Sequence, residues 1–467
     1  MYDLIVIGAG AAGLTAAGFM GRVGGKVALI ERNALGGDCT WVGCVPSKAL
    51  LKVSKIAHSI RTAEKYGIQV NTANIDMPTV KIYVQQAIQE IYQHETPEVF
   101  AKAYNVEVIL GEASFVDPHT VQVNGQQLKA KKFIIATGAR PTIPPISGLD
   151  EVSFFTNRTI FDNDHLPKHL LIMGAGAIGV EMGQAYARLG AQVTLMDERL
   201  LPREEPEVSS VMEDILAQDG VMFIPSLVES VEKQGEQINV MLKNGDMVSG
   251  DMLLVAVGRT PNTDLGLDYA GVAYDKHGII VDKYLRTTVK HIYAVGDCTS
   301  APKFTHYAGF QGSIAGRNAT LPILKSKGHD PILPRVIFTD PEVAHVGLNE
   351  DEARKIHGDS VKTFIFPLSR GDRAVAEDDR QGFVKLIYKG GGSLLGATVV
   401  SDRAGEMIME YMLVLKNKLT LRDISTMIHP YPTYADIVKK ATSTLVIEEL
   451  FRGFSGRMIK LLGKILF

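Results

Sequence analysis

Cysteine, a surplus of one charge, and long apolar runs are all scarce in this chain of 467 residues. Three cysteines cannot staple so long a polypeptide, which excludes a disulfide-built secreted scaffold. Two of them, Cys39 and Cys44, sit close together beside glycines, a placement that reads as redox chemistry in a reducing cytosol. Lys plus Arg total 49 against 52 Asp plus Glu, for a net charge of −3. That balance makes no field to gather phosphates, so nucleic acid is not an expected partner. No uninterrupted apolar stretch approaches the roughly 20 residues that cross a bilayer. The opening MYDLIVIGAGAAG has neither a basic n-region nor a small-residue cleavage site. The expectation is a cytoplasmic protein. Its length calls for about three cores, and its 46% hydrophobic and 22% charged residues suit a chain folded throughout.

Glycine, by contrast, is abundant and appears twice in one grammar. Residues 3–31 (DLIVIGAGAAGLTAAGFMGRVGGKVALIE) and 169–197 (HLLIMGAGAIGVEMGQAYARLGAQVTLMD) each read as strand, glycine turn, small-residue helix and a second strand ending in an acid. The glycines are Gly8, Gly10 and Gly13 in the first copy and Gly174, Gly176 and Gly179 in the second. The acids, Glu31 and Asp197, each lie 23 residues past the first glycine of their copy, the spacing at which a carboxylate meets a nucleotide ribose. Glycine lets a pyrophosphate lie on backbone amides at a helix N-terminus, where the helix dipole favours negative charge. Two dinucleotide-binding units follow. Past residue 334 the pattern changes to strand-like runs (RVIFTD, GFVKLIY, LLGATVV) with helical stretches between them and no phosphate loop, a separate α+β domain.

Between the two units lies GGDCTWVGCVPSKALLKVSKIAHSI, in which Cys39 and Cys44 straddle the start of an amphipathic helix running to about residue 60. A thiolate at a helix N-terminus is stabilised by the dipole and becomes a usable nucleophile, which singles out Cys44. Gly43 and Pro46 supply the bend that lets the pair close a disulfide reversibly. A zinc site would need two more ligands and none cluster nearby, so no metal site is expected. Cys298 has no partner in the sequence and reads as a small core residue.

The chain resembles the pyridine nucleotide-disulfide oxidoreductases, the group of dihydrolipoamide dehydrogenase, glutathione reductase and mercuric reductase. The resemblance rests on both glycine units, GGDCTWVGCVPSK at 36–48, ATG at 136–138, VGRTPN at 257–262, YAVGD at 293–297 and VIFTDPEVAHVG at 336–347. It implies an α/β fold of two Rossmann-like dinucleotide-binding domains plus a C-terminal α+β dimerisation domain. The expected spans are 1–146 and 265–333 for FAD, 147–264 for the nicotinamide nucleotide, 334–450 for dimerisation, and a tail at 451–467. By the same resemblance FAD lies on Gly8, Gly10, Gly13, Glu31, Gly138 and Asp297, and NAD on Gly174, Gly176, Gly179, Asp197 and Gly258. Cys44 faces the flavin, Cys39 exchanges with substrate, and Lys48 pairs with Glu181 near the flavin. Lys48 stands one helical turn after Cys44 on the same face, so its ammonium can stabilise thiolate charge. Asp197, backed by Glu198, would accept from a ribose 2′-hydroxyl and repel a 2′-phosphate, favouring NADH over NADPH; Arg199 and Arg203 pull the other way.

One segment departs from the thiol-handling members, in which a histidine of the dimerisation domain, acting across a homodimer with a shared active site, is the base. Here the run is Ile428-His429-Pro430-Tyr431-Pro432-Thr433-Tyr434-Ala435-Asp436. Matching Pro432 and Thr433 puts Tyr431 at the base position and Asp436 at its orienting carboxylate, with His429 two residues early. The Tyr431-Pro432 bond is expected cis, as in that family's turn. An unperturbed Tyr titrates near 10 against about 6.5 for His, so proton shuttling at neutral pH is lost. Tyr at this position resembles mercuric reductase, although the vicinal cysteine pair near that enzyme's C-terminus is absent.

The functional expectation is an FAD-dependent NAD(P)H oxidoreductase passing electrons through the Cys39–Cys44 disulfide to a small acceptor: a metal ion, a quinone or an unusual disulfide. Rival readings are a mercuric reductase-like metal reductase, a diverged dihydrolipoamide dehydrogenase, and a slow redox sensor associated with a membrane. The last draws on the tail FRGFSGRMIKLLGKILF, with Met458, Leu461, Leu462 and Ile465 on one helical face, Arg457, Lys460 and Lys464 toward the other, and no acid after Glu449. Docking of that helix on its own protein or dimer mate is the expectation, with peripheral membrane contact the alternative.

Overall fold

The computed structural model describes residues 1–70, 74–321 and 323–466. The chain forms two compact units: residues 1–199 with 219–330, and residues 200–218 with 331–467.

In the first unit the strand Leu4–Ile7 is buried on both faces. Leu4 and Val6 point into one apolar cluster with Leu29, Ile134 and Val295, and Ile5 and Ile7 into another with Phe115, Phe133 and Ile292. A strand covered on both sides needs an unbroken apolar run, which is what LIVI provides. It is central to a parallel five-stranded sheet in the order Ile292–Ala294, Phe133–Ile135, Leu4–Ile7, Val27–Glu31, Val106–Leu110. The second glycine unit builds a parallel four-stranded sheet in the order Val221–Pro225, Gln192–Asp197, His169–Met173, Met252–Val255. Each sheet places its glycine turn at the C-terminal end of a strand, where open α/β sheets bind ligands.

The cysteine helix, Cys44–Thr62, is tied to the helix Ala177–Leu189 of the second glycine unit through shared polar partners. His58 Nδ1 lies 3.2 Å from Asp219 Oδ1, and Asp219 also accepts from Arg188 Nε at 3.0 Å and Gln184 Nε2 at 2.8 Å. Arg188 Nε is held where it can meet the carboxylate because its side chain is 6% exposed.

The second unit is an antiparallel five-stranded sheet ordered Arg335–Ile337, Glu342–Gly347, Ser393–Ser401, Phe383–Lys389, Lys362–Pro367. Helices Ala404–Asn417 and Tyr434–Phe451 share its core, with Tyr411, Ile408, Ile437 and Val438 against Val384, Leu386 and Val399. Residues 200–218, which the sequence reading put inside the span 147–264, pack in this unit. The physical reason is charge: Lys385, 1% exposed, meets Glu205 at 3.0 Å, Glu207 at 2.9 Å and Glu350 at 2.8 Å. Among the described residues no helix is long and apolar enough to cross a membrane.

Candidate active site

The two glycine turns are built alike. Gly10 and Gly176 cap their helices with nearly the same backbone, φ −79° and ψ −172° against φ −78° and ψ −174°. A Cβ on Gly13 would sit 1.8 Å from the Gly8 carbonyl oxygen, and one on Gly179 1.9 Å from that of Gly174. A Cβ on Gly8 would strike the carbonyl oxygen of Ala136 at 2.4 Å, and one on Gly174 that of Ala256 at 2.6 Å. Third glycines let each helix press on its turn, and first glycines let a neighbouring strand cross it. The acids complete the symmetry. Glu31 Oε2 accepts from the Ala9 amide at 2.7 Å and Asp197 Oδ2 from the Ala175 amide at 2.9 Å, so each acid also braces its turn.

Gly138 and Gly258 follow the two crossing strands by three residues, with φ of +68° and +133°, and a Cβ on either would meet nothing within 4 Å. At both, a left-handed backbone rather than lack of space is what favours glycine. The VGRTPN segment lies alongside ATG: Asn262 Nδ2 donates to the Thr137 carbonyl at 2.8 Å, and Thr137 Oγ1 donates to that of Asn262 at 2.8 Å.

A cavity of about 620 Å³ opens beside the first turn, lined by Gly8, Glu31, Thr137, Arg140, Arg158 and Asn262, among others. Behind it runs a charge chain that the sequence reading found only at its end, Asp297. Arg259 Nη1 donates to Asp297 at 2.9 Å, Arg259 Nη2 donates to Asp38, and Arg158 Nη2 donates to Asp38 at 3.2 Å. Burial pushes the Asp297 carboxyl above its usual range, against the pull of Arg259. The Nε atoms of Arg158, which lines the cavity, and of Arg259 are buried without a hydrogen-bond partner. These features fit a dinucleotide flavin at the first turn.

Cys39 lies in a short helix, Gly37–Val42, and Cys44 opens the helix Cys44–Thr62. The stretch before Gly43 is helical up to Val42. Gly43 separates the two, because a Cβ there would stand 2.7 Å from the Asp38 carbonyl oxygen. The close reversal brings the thiols together, and the two cysteines split their acidities. The Cys39 thiol donates toward Cys44, which raises Cys39 well above the usual thiol range and lowers Cys44 to about 6. Thr305, with its Oγ1 3.3 Å from Cys44 Sγ, and the Lys48 charge add to the lowering, while burial opposes it. At neutral pH Cys44 is the thiolate and Cys39 the protonated partner. Lys48 Nζ lies 3.0 Å from Glu181 Oε2, the pairing expected from the sequence, with Glu181 buried on its helix. Thr305 was not singled out from the sequence, which offers no local sign that the N-terminus of the helix Thr305–Thr320 reaches a cysteine so remote.

In the second unit Tyr431-Pro432 is cis, as expected. Tyr431 is exposed, and its hydroxyl donates to Asp372, which raises its pKa. Asp436 is not the carboxylate that receives it. Asp436 instead lies 3.6 Å from Lys440 Nζ, which bonds Asp372 at 2.6 Å, so Tyr431 and Asp436 share a lysine rather than a hydrogen bond. His429 is committed elsewhere, its Nε2 3.0 Å from Glu410 Oε2.

Two nucleotide cradles and a polarised dithiol in one unit define a flavin-dependent redox enzyme working between a nicotinamide and a disulfide. The chain belongs to the pyridine nucleotide-disulphide oxidoreductase family, whose profile matches residues 2–312, with the family's dimerisation domain at 333–442. It is an enzyme that uses FAD and a nicotinamide cofactor, and the dimerisation domain marks it as one half of a homodimer. It is 38% identical over 452 residues to a mercuric reductase of Lysinibacillus sphaericus, covering 95% of this chain and 82% of that one. A dihydrolipoyl dehydrogenase of Thermus scotoductus is 35% identical over 457 residues, covering 95% of this chain and 97% of that one. Among solved structures, the HOCl-induced flavoprotein disulfide reductase RclA of Escherichia coli superposes with a TM-score of 0.86 at 28% identity, over 95% of this chain and 99% of that one. A Cu(II) complex of RclA superposes with a TM-score of 0.85 at 27% identity, over 94% of this chain and 99% of that one.

Proposed function

We propose that the enzyme oxidises NADH and reduces a soft metal ion, of the mercuric or cupric kind, at the Cys39–Cys44 pair. The observation that carries this reading is a polarised dithiol combined with Tyr431 in place of a titrating base. A thiolate with an adjacent thiol binds a soft cation, and delivering electrons to that cation asks for no proton shuttle on the Tyr431 side. Mercuric reductases among the relatives and the copper complex of RclA support the acceptor class. The first glycine turn with Glu31, Gly138 and Asp297 would hold FAD, whose chemistry, when bound, would be two-electron exchange between the nicotinamide and the cysteine pair. In this reading Cys44, the thiolate at the helix start, is the flavin-side sulfur and Cys39 the outer one that meets the acceptor. Lys48, fixed by Glu181, holds positive charge by the Cys44 thiolate. Tyr431 and Asp436 would face the thiols of the second subunit, making the active site a shared one. Asp197, with both carboxylate oxygens held by the amides of Ala175 and Glu198, supports NADH over NADPH, since a fixed carboxylate accepts from a 2′-hydroxyl and repels a 2′-phosphate.

The balance is one NADH for one Hg(II) taken to Hg(0), or for two Cu(II) taken to two Cu(I), with release of NAD⁺ and a proton. The test is anaerobic NADH oxidation by the FAD-loaded enzyme with Hg(II), Cu(II) or lipoamide as sole acceptor. Turnover with a metal, lost in Cys39→Ser and Cys44→Ser, is the expected result. Efficient lipoamide turnover with no metal-dependent oxidation would overturn it in favour of a diverged dihydrolipoamide dehydrogenase. Tyr431→His should lower metal turnover about 10-fold or more if the tyrosine serves the metal, and leave it unchanged if it does not.

A further inference from the structure

We propose that the C-terminal helix Gly453–Leu466 docks the enzyme on an anionic lipid surface, lying in the headgroup plane. Arg452 is extended, with φ −80° and ψ 144°, so this helix is separate from Tyr434–Phe451. Met458, Leu461, Leu462 and Ile465 follow one another at helical spacing and are 46%, 59%, 50% and 70% exposed. Four large apolar side chains on one arc, turned to solvent, are an unpaired hydrophobic face. Ile447, Leu450 and Phe451, at the end of the preceding helix, are exposed as well. Arg457 and Lys464 flank that face on the Leu461 side, exposed; the side chain of Lys460 lies outside the described residues.

Charge selects the occupant. Residues 451–467 carry Arg452, Arg457, Lys460 and Lys464 and no acid, in a chain whose net charge is −3. Arg452 is held within its own chain by Glu449 at 3.3 Å and Glu448 at 3.7 Å, so a second copy pairing tail to tail would set Arg457, Lys460 and Lys464 against the same three charges, whereas an anionic bilayer complements the basic arc and accepts the apolar one. At 14 residues the helix is about 21 Å long, too short to span, which suits a position in the interface plane. The inference does not depend on the acceptor proposed above.

The experiment is sedimentation of the full-length, FAD-loaded enzyme with vesicles of equal parts phosphatidylglycerol and phosphatidylcholine, and with phosphatidylcholine alone, at low and high salt. Binding is expected to the anionic vesicles only and to weaken with salt. Lys464→Gln should weaken it about fivefold, the effect of one basic charge at such a surface, and Leu461→Asp with Leu462→Asp should abolish it. Flavin content and thermal unfolding unchanged in the variants separate a lost docking face from a lost fold. Should the double variant misfold, Lys464→Gln and the salt dependence still decide. Full-length enzyme that stays in the supernatant with both vesicle types, or pellets equally with both, overturns the proposal. So does a double variant that turns the dimer into a monomer in sedimentation velocity while no vesicle binding is seen, which would assign the face to the second subunit.

Discussion

Thr305 holds its hydroxyl 3.3 Å from the sulfur of Cys44 across 261 residues of sequence. The Cys39 thiol is the larger stabiliser of the Cys44 thiolate and Thr305 a smaller one. Alkylation of Cys44 in the reduced protein, followed by peptide mass against pH, should show a midpoint of about 6. Thr305→Val should move that midpoint up by about one unit, the worth of one hydrogen bond to a charged group, and Thr305→Ser should restore it. An unmoved midpoint in the valine variant would show that the hydroxyl does not donate to the sulfur.

Lys48 and Glu181 act on the same sulfur with opposite signs, since the ammonium lowers the Cys44 pKa and the carboxylate raises it. Lys48→Met should therefore shift the alkylation midpoint upward and Glu181→Gln downward, with Glu181→Gln leaving the fold intact because the amide keeps a hydrogen bond to Lys48. Shifts of the same sign in both variants would refute this electrostatic picture.

Arg259 spans two carboxylates, Asp297 and Asp38, with a side chain 21% exposed. Arg259→Met leaves both acids facing each other without their cation, and should cost about 3 kcal/mol of stability with loss of bound flavin. Arg259→Lys should recover only part, because one ammonium cannot fork to two partners as a guanidinium does. Thermal unfolding and the flavin absorbance of the purified protein measure both effects.

His345 is neutral by construction of its surroundings. Its Nδ1 lies 2.8 Å from Thr398 Oγ1 and its Nε2 3.1 Å from the Gly347 carbonyl oxygen. Burial first, and then the charges of Arg335 and Lys385, lower its pKa from 6.5 to about 3. Between those values the unfolded chain binds a proton that the folded chain refuses. The contribution is therefore intact above 6.5 and is lost as the pH falls, by about 1.4 kcal/mol per unit. Urea unfolding at about pH 7 and about pH 5 should differ by about 2 kcal/mol more in the native protein than in His345→Gln.

What could be read from the sequence was whatever chemistry confines to a short stretch. The glycine turns announce themselves because a backbone without Cβ is needed at Gly8, Gly13, Gly174 and Gly179, and each acid follows at a fixed distance. Cys44 at a helix start is likewise local, and Lys48 with Glu181 came from the family resemblance. The Arg259–Asp38–Arg158 chain is assembled from three remote segments, although Asp38 and Arg259 sit inside the quoted motifs GGDC and VGRTPN, where an unexplained charge was the available signal. Asp372 as the acceptor of Tyr431 had no such signal, because it stands in a different segment from the turn that holds the tyrosine.

Lys385 carries a consequence for anyone dividing the molecule. Three of the groups that neutralise it are Glu205, Glu207 and Glu350, and the first two arrive on a segment that leaves the sequence of the first unit and returns to it at Asp219. A fragment cut at Pro331 would keep the sheet and its helices yet strand an ammonium in the interior with one carboxylate left of three. The dimerisation half of this enzyme is thus a borrower: its autonomy ends at a loan of nineteen residues, 200–218, and a fragment meant to stand alone must carry that loan with it.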